Sequence, residues 1–197
     1  PRPSPRVLEA LSAALELNPA ERQRLFTLAE ALPIPPRTAP RTVRPHVAAL
    51  LDRLSGTAAV VTTATYDVVA WNALAEALVP DFRAELNLAR RSFLLGAPWV
   101  SGQDDFAEIT VARLRNAATR YPHDPGLTQV LNDLHAGSGL FRDVWETNPA
   151  RTPGHRRKAI DHPAVGRLTV TCDVLLVPED DQQVVFLTAD PGSRTSG

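Results

Sequence analysis

Methionine is absent from the 197 residues, and cysteine occurs once, at Cys172. Without an initiator, the chain is expected to be a piece of a longer protein with an N-terminal region before it. A single cysteine excludes an internal disulfide and a thiolate metal cage, and it fits a reducing compartment. No apolar run reaches the roughly 18 residues that cross a bilayer, and Pro1 to Pro5 does not open a signal peptide. A cytoplasmic location with no membrane partner is expected. Charge of one sign is also lacking: 21 basic residues face 22 acidic ones, so no global field draws in nucleic acid. A nucleophile elbow, a P-loop, a G-x-G-x-x-G and an H-E-x-x-H are all missing, so neither an enzyme nor a cofactor is expected. The carboxylates Asp104 and Asp105, and the run Glu179, Asp180 and Asp181, fall at a helix start and in a turn, where solvated acids are ordinary.

What is present is a globular composition, 44% hydrophobic, enough for one or two domains. Ser4 before Pro5 reads as an N-cap with proline at the first helical position, and Val7, Leu8, Leu11, Ala14 and Leu15 follow at helical spacing. Asn18, Pro19 and Glu21 repeat the device as a capping box, ahead of Leu25, Phe26, Leu28, Ala29 and Leu32. Two such helices are too small to form a core alone. Prolines at 33, 35, 36, 40 and 45, with Arg37, Arg41 and Arg44 between them, then predict an extended, solvated spacer over residues 33–45.

Beyond the spacer a helix is predicted from Pro45 to Leu54, then two short strands, Ala59 to Thr62 and Tyr66 to Trp71, with Asn72 capping a helix directly after them. Helices are predicted over Glu85–Leu95 and Gln103–Tyr121, with others opened by Asp124 and Ser138. From Arg156 the apolar period becomes two, predicting strands at Arg156–Ile160, Leu168–Leu176 and Val184–Ala189. The order is two strands, several helices and three strands, an α+β fold with one antiparallel sheet of about five strands and helices over one face.

Phe93, Trp99, Phe106, Leu114, Leu134, Phe141 and Trp145 on the helices, with Trp71, Cys172 and Val174 on strands, are candidates to line an apolar ligand pocket; the same residue types also fill ordinary cores. An acyl chain gains about 0.8 kcal/mol per buried methylene, so an apolar tunnel with one polar group for the head could hold it. Arg90, Arg115 and His162 are the candidates for that head group. The spacing of His123, His135, His155 and His162 fits no zinc pattern. Cys172, on the apolar face of a strand, reads as a small buried hydrophobe and a poor redox sensor.

The phrase VVTTATYDVVAWNALAEAL at residues 60–78 resembles the opening of a PAS-type sensor domain. PSPRVLEALSAALELNPAERQRLFTLA at residues 3–29 is similar to the last two helices of a lambda-repressor-like helix-turn-helix domain. Together with NLARRSFL, LRNAATRYPHDPGLTQVLNDL, SGLFRDVWE, HPAVGRLTV and DDQQVVFLTADPGS, the hairpin phrase resembles the MmyB-like transcription regulators of actinobacteria and relatives over nearly the whole chain. The resemblance implies a DNA-binding helix-turn-helix domain, of which residues 1–32 are the tail, followed by a PAS-like ligand-binding domain over residues 46–192. It implies DNA as a partner through the missing part, a small apolar or fatty-acyl ligand, and a homodimer; a dimerisation module without ligand is the alternative. Arg91 and Ser92 stand where the family commonly has an aromatic or aliphatic pair, and Val100, Ser101 and Gly102 follow Trp99 in place of acidic helix residues. These departures leave the ligand free to differ from that of relatives.

Overall fold

A computed structural model describes residues 3–31, 37–79, 81–96, 103–152 and 154–189. Trp99, the prolines at 33, 35 and 36 and the tail over 193–197 lie outside them. The chain divides into two compact units, Pro1–Arg37 and Thr38–Gly197.

In the first unit, α1 (Pro5–Ala14) and α2 (Pro19–Leu28) begin where the caps place them. The Asn18 side-chain oxygen accepts the Ala20 and Glu21 N–H groups at 3.0 Å each, and Glu21 accepts the Asn18 N–H at 2.9 Å. This closed capping box satisfies donors that a helix start leaves orphaned. Arg22 of α2 pairs with Glu9 of α1, which ties the two helices together. Leu8 and Phe26 are buried, whereas Leu11, Leu15 and Leu28 stay exposed.

The second unit opens with α3 (Pro45–Arg53), followed by β1 (Ala58–Thr62), β2 (Val68–Trp71) and α4 (Ala73–Leu78). A short 3-10 turn at Phe82–Ala84 leads to α5 (Leu88–Leu94), α6 (Gln103–Arg120), α7 (Pro125–Gly137) and α8 (Gly139–Thr147), and the chain returns in β3 (Arg156–His162), β4 (Gly166–Val177) and β5 (Gln182–Ala189). The fold is α+β. All strand pairs are antiparallel, in the order β2-β1-β5-β4-β3, so the last strand lies beside the early hairpin in a single sheet. That is the PAS-like arrangement expected from the sequence. None of the described helices is long and apolar enough to cross a membrane.

Alternation in the strands gives the sheet two apolar faces. Ala59, Val61 and Val184 pack with Val47 and Leu51 of α3 on one side, while Ala58, Val60, Leu187, Cys172, Val170 and Ile160 face α4 and the 3-10 turn on the other. Helices thus cover both faces, not one. The reason is that β1 is buried at every position, so its two alternating sides both need a cover. A separate helical core forms around Val111, Leu114, Tyr121, Leu127, Leu134 and Phe141.

Residues 38–44, read from the sequence as part of a solvated spacer, lie bonded along the second unit. The Ala39 N–H donates to Asp124 Oδ2 at 2.8 Å, Gln182 Nε2 donates to the Thr42 carbonyl at 3.0 Å, and Arg44 pairs with Asp180 at 2.6 Å. Proline-rich backbone lacks partners of its own kind, and here side chains of α7, β5 and its preceding turn supply them.

Candidate functional site

The inner face of the sheet and the helices above it leave a hollow. Val60 of β1, Leu187 and Val185 of β5, and Cys172 and Val174 of β4 form its floor, because register places Val60 opposite Val185 and Cys172 opposite Leu187. Ala75 and Val79, Phe82, Leu88, and Phe106 with Ile109 form the roof. Space between atoms totals about 860 Å3 counting the open mouth, but only about 80 Å3 admits the centre of a water molecule. The hollow is therefore a narrow slot.

Several polar side chains reach it. Tyr66 enters from a turn that it closes in the left-handed region, at φ 66°, and is 4% exposed. Thr63 and Thr65, with Asp67, bond this turn to itself, and Asn87 Nδ2 donates to the Thr65 carbonyl at 2.8 Å and to Asp67 at 3.0 Å. Arg91 donates from Nη2 to the Asp81 and Phe82 carbonyls at 2.7 and 2.9 Å and from Nε to Glu85. Its charge is spent holding the roof in place. Lys158 of β3 lies 4.7 Å from the centroid of the Phe106 ring, and burial pulls its amine below the usual lysine range. Burial also pushes the Cys172 thiol up, so it stays protonated and slow to oxidise. Among the described residues no group of three or more His, Cys, Asp or Glu could hold a metal.

The slot is apolar over most of its lining and lies between the five-stranded antiparallel sheet and its crossing helices. Residues 43–197 match the family model described as MmyB-like transcription regulator ligand binding domain. The chain belongs to this family. No curated protein matches it. The slot is accordingly in the part that gives MmyB-like regulators their ligand-binding domain.

Of the residues nominated from the sequence, Phe106, Cys172 and Val174 line the slot of this MmyB-like domain. Trp71 stands beside it, its ring 5.4 Å from Phe82 and its Nε1 donating to Glu76 at 3.1 Å. Phe93, Leu114, Leu134, Phe141 and Trp145 belong to the helical core, where Phe141 touches both Phe93 and Trp145. Arg90 pairs with Asp133 of α7 at 2.5 Å, and Arg115 donates to the Trp145 carbonyl with its guanidinium 4.4 Å from the Trp145 ring. His162 is half-buried at the end of β3, donating from Nε2 to the Ala77 carbonyl at 3.0 Å. These three therefore tie elements together away from the slot. Sequence reasoning missed Tyr66, Arg91, Lys158 and Gln183. For Lys158 a signal existed: it shares strand parity with Ile160, which is fully buried.

Proposed function

We propose that this domain senses a slim apolar or fatty-acyl-like molecule held in the slot, within a cytoplasmic transcription regulator. Occupancy biases a DNA-binding domain whose final helices are α1 and α2. The observation that carries the reading is the narrow, largely apolar slot in a domain of a ligand-binding family. Its volume open to water centres, about 80 Å3, is below the roughly 300–1,000 Å3 of drug-sized pockets, which favours a small or flexible guest over a broad ring system. Coupling to DNA requires the ligand to bind two conformations unequally.

Mass spectrometry of organic extracts from the purified chain tests the reading, with a Val174→Phe variant as comparison. Val174 is half-buried on the slot floor, and a phenyl ring there fills space the ligand would use, with an overpacking penalty of about 1–3 kcal/mol. The expected result is an apolar species that is extracted from the wild-type chain and depleted from the folded variant. Equal yields from both, or none from either after incubation with mixed lipids, would sink it.

A further inference from the structure

Lysine occurs once in the sequence, at Lys158; the rest of its 21 lysine and arginine residues are arginine. That one lysine is 8% exposed and lines the slot. Burying a lysine to this degree is unusual and costly, because its ammonium gives up hydration. Strand parity sets it there. Lys158 lies on the same side of β3 as Arg156 and Ile160, with Val170 of β4 opposite it and Cys172 opposite Arg156. Ile160 and Val170 are buried, and Nζ reaches to 4.7 Å from the centroid of the Phe106 ring.

These surroundings work against the charged form of the amine. Burial pulls it below the usual lysine range; Cys172 opposes that shift, and Arg156, a second cation lining the slot, adds to it. An arginine cannot lose its proton, whereas a lysine can and then exposes a lone pair. A lysine desolvated among apolar groups, with another cation near it, is the arrangement that makes this side chain a nucleophile toward carbonyl carbon.

We propose that Lys158 captures an aldehyde with an apolar tail inside the slot, as an imine, so that the domain reads a carbonyl compound through a reversible covalent bond. The proposal rests on the reading of the slot as a ligand site and adds the reacting group of the guest, an uncharged electrophile. The Nζ lone pair adds to the carbonyl carbon and forms the C–N bond, while the carbonyl π pair moves to oxygen. As C=N closes, that oxygen leaves as water with both amine protons. Nothing is oxidised or reduced, and water entering the slot reverses the step.

Octanal and octanol, alike in tail and different in the reacting group, test it on the full chain. With sodium cyanoborohydride present to fix the imine as a secondary amine, mass spectrometry of the digested protein is expected to find one octyl group on the peptide carrying Lys158. The group should be gained faster by the folded chain than by one unfolded in guanidinium chloride at the same pH, and excess octanol should slow the folded reaction. Without the reductant, octanal should raise the Tm more than octanol does. That excess is lost in Lys158→Arg, which keeps the charge beside Phe106, and in Lys158→Met, which keeps the length without the charge. A folded wild type that stays unmodified, reacts no faster than the unfolded chain or is unaffected by octanol overturns the proposal, as does an excess in Tm that survives both substitutions. A Tm raised by octanol in any of those cases leaves the slot standing as a ligand site. If neither compound binds, that reading falls, and this proposal with it.

Discussion

Asn72 shows how much one side chain can hold. Its oxygen accepts the Ala75 N–H at 3.0 Å as the cap of α4 and the Ala59 N–H of β1 at 3.1 Å, while its amide donates to the Leu54 and Thr57 carbonyls at 3.2 and 2.8 Å. The cap was legible from the sequence, since asparagine directly after a strand and before an alanine-leucine run suits that role. The other three bonds were not, because they join segments that only the fold brings near. Asn72→Ala is expected to cost about 2–4 kcal/mol, more than a cap alone, and Asn72→Asp no less, since it keeps the accepting oxygen but turns a second oxygen against the Leu54 and Thr57 carbonyls. Chemical denaturation that finds a loss under about 1 kcal/mol for the alanine would show that only the cap counts. Tyr121 has a different signature. Burial first, then the charge of Asp181 and the hydrogen bond to it, raise its phenol to about 12 from the usual 10.0. The folded state therefore holds that proton more tightly than the unfolded one, so the contribution is full below pH 10.0 and is lost between there and about 12. Wild-type stability minus that of Tyr121→Phe should fall across that window and stay level below it.

The element that most divides reading from structure is α5. Periodicity placed it at Glu85–Leu95, and it runs over Leu88–Leu94 because Asn87 caps it by accepting the Ala89 and Arg90 N–H groups. In so short a helix the apolar phase is poorly determined, and neighbouring residues point about 100° apart. Arg90 was accordingly nominated for the ligand, yet it is Arg91 that borders the slot. Long periodic stretches were legible for the opposite reason: α6 and α7 repeat their pattern over several turns, and Asp124 with Pro125 marks a start that few other conformations accommodate. The two arginines of α5 should behave unlike each other. The Arg90 and Asp133 pair is partly exposed, so Arg90→Ala is expected to cost under about 1 kcal/mol. Arg91 is 6% exposed and closes three carbonyls of the 3-10 turn and its flank, so Arg91→Ala is expected to cost about 2–4 kcal/mol and to loosen the slot roof. Thermal melts of the two variants, with proteolysis near Asp81 as a local probe, check both; equal losses would contradict the division.

At the scale of the whole chain, a single antiparallel sheet of about five strands was legible in the change of period, whereas the order β2-β1-β5-β4-β3 rested on the resemblance to PAS-type domains. The slot was not legible, because which side chains border a hollow depends on sheet curvature and on the pairing of β4 with β5, neither of which leaves a mark in a single sequence. Gln183 is the clearest case: in the sequence it is one of two glutamines after an acidic turn, and only register sets it on the slot-facing side of β5 with Val185 and Leu187. The two compact units divide between Arg37 and Thr38, and Ala39, Thr42 and Arg44 are bonded to the Asp124 cap of α7, to β5 and to the turn before it. That placement has a consequence for any truncation. A chain starting at Thr38 keeps every contact just named and should unfold in one cooperative transition, whereas one starting at Pro45 loses them and exposes Asp124 and Gln182 without their partners. Ligand at a hundredfold excess over its dissociation constant should then stabilise the Thr38 chain by about 2.7 kcal/mol, the same gain as in the full chain, because the described lining residues of the slot all come after Thr38. A smaller gain in the truncated chain, measured by denaturant midpoints with dodecanoic acid present, would mean that residues before Thr38 take part in binding.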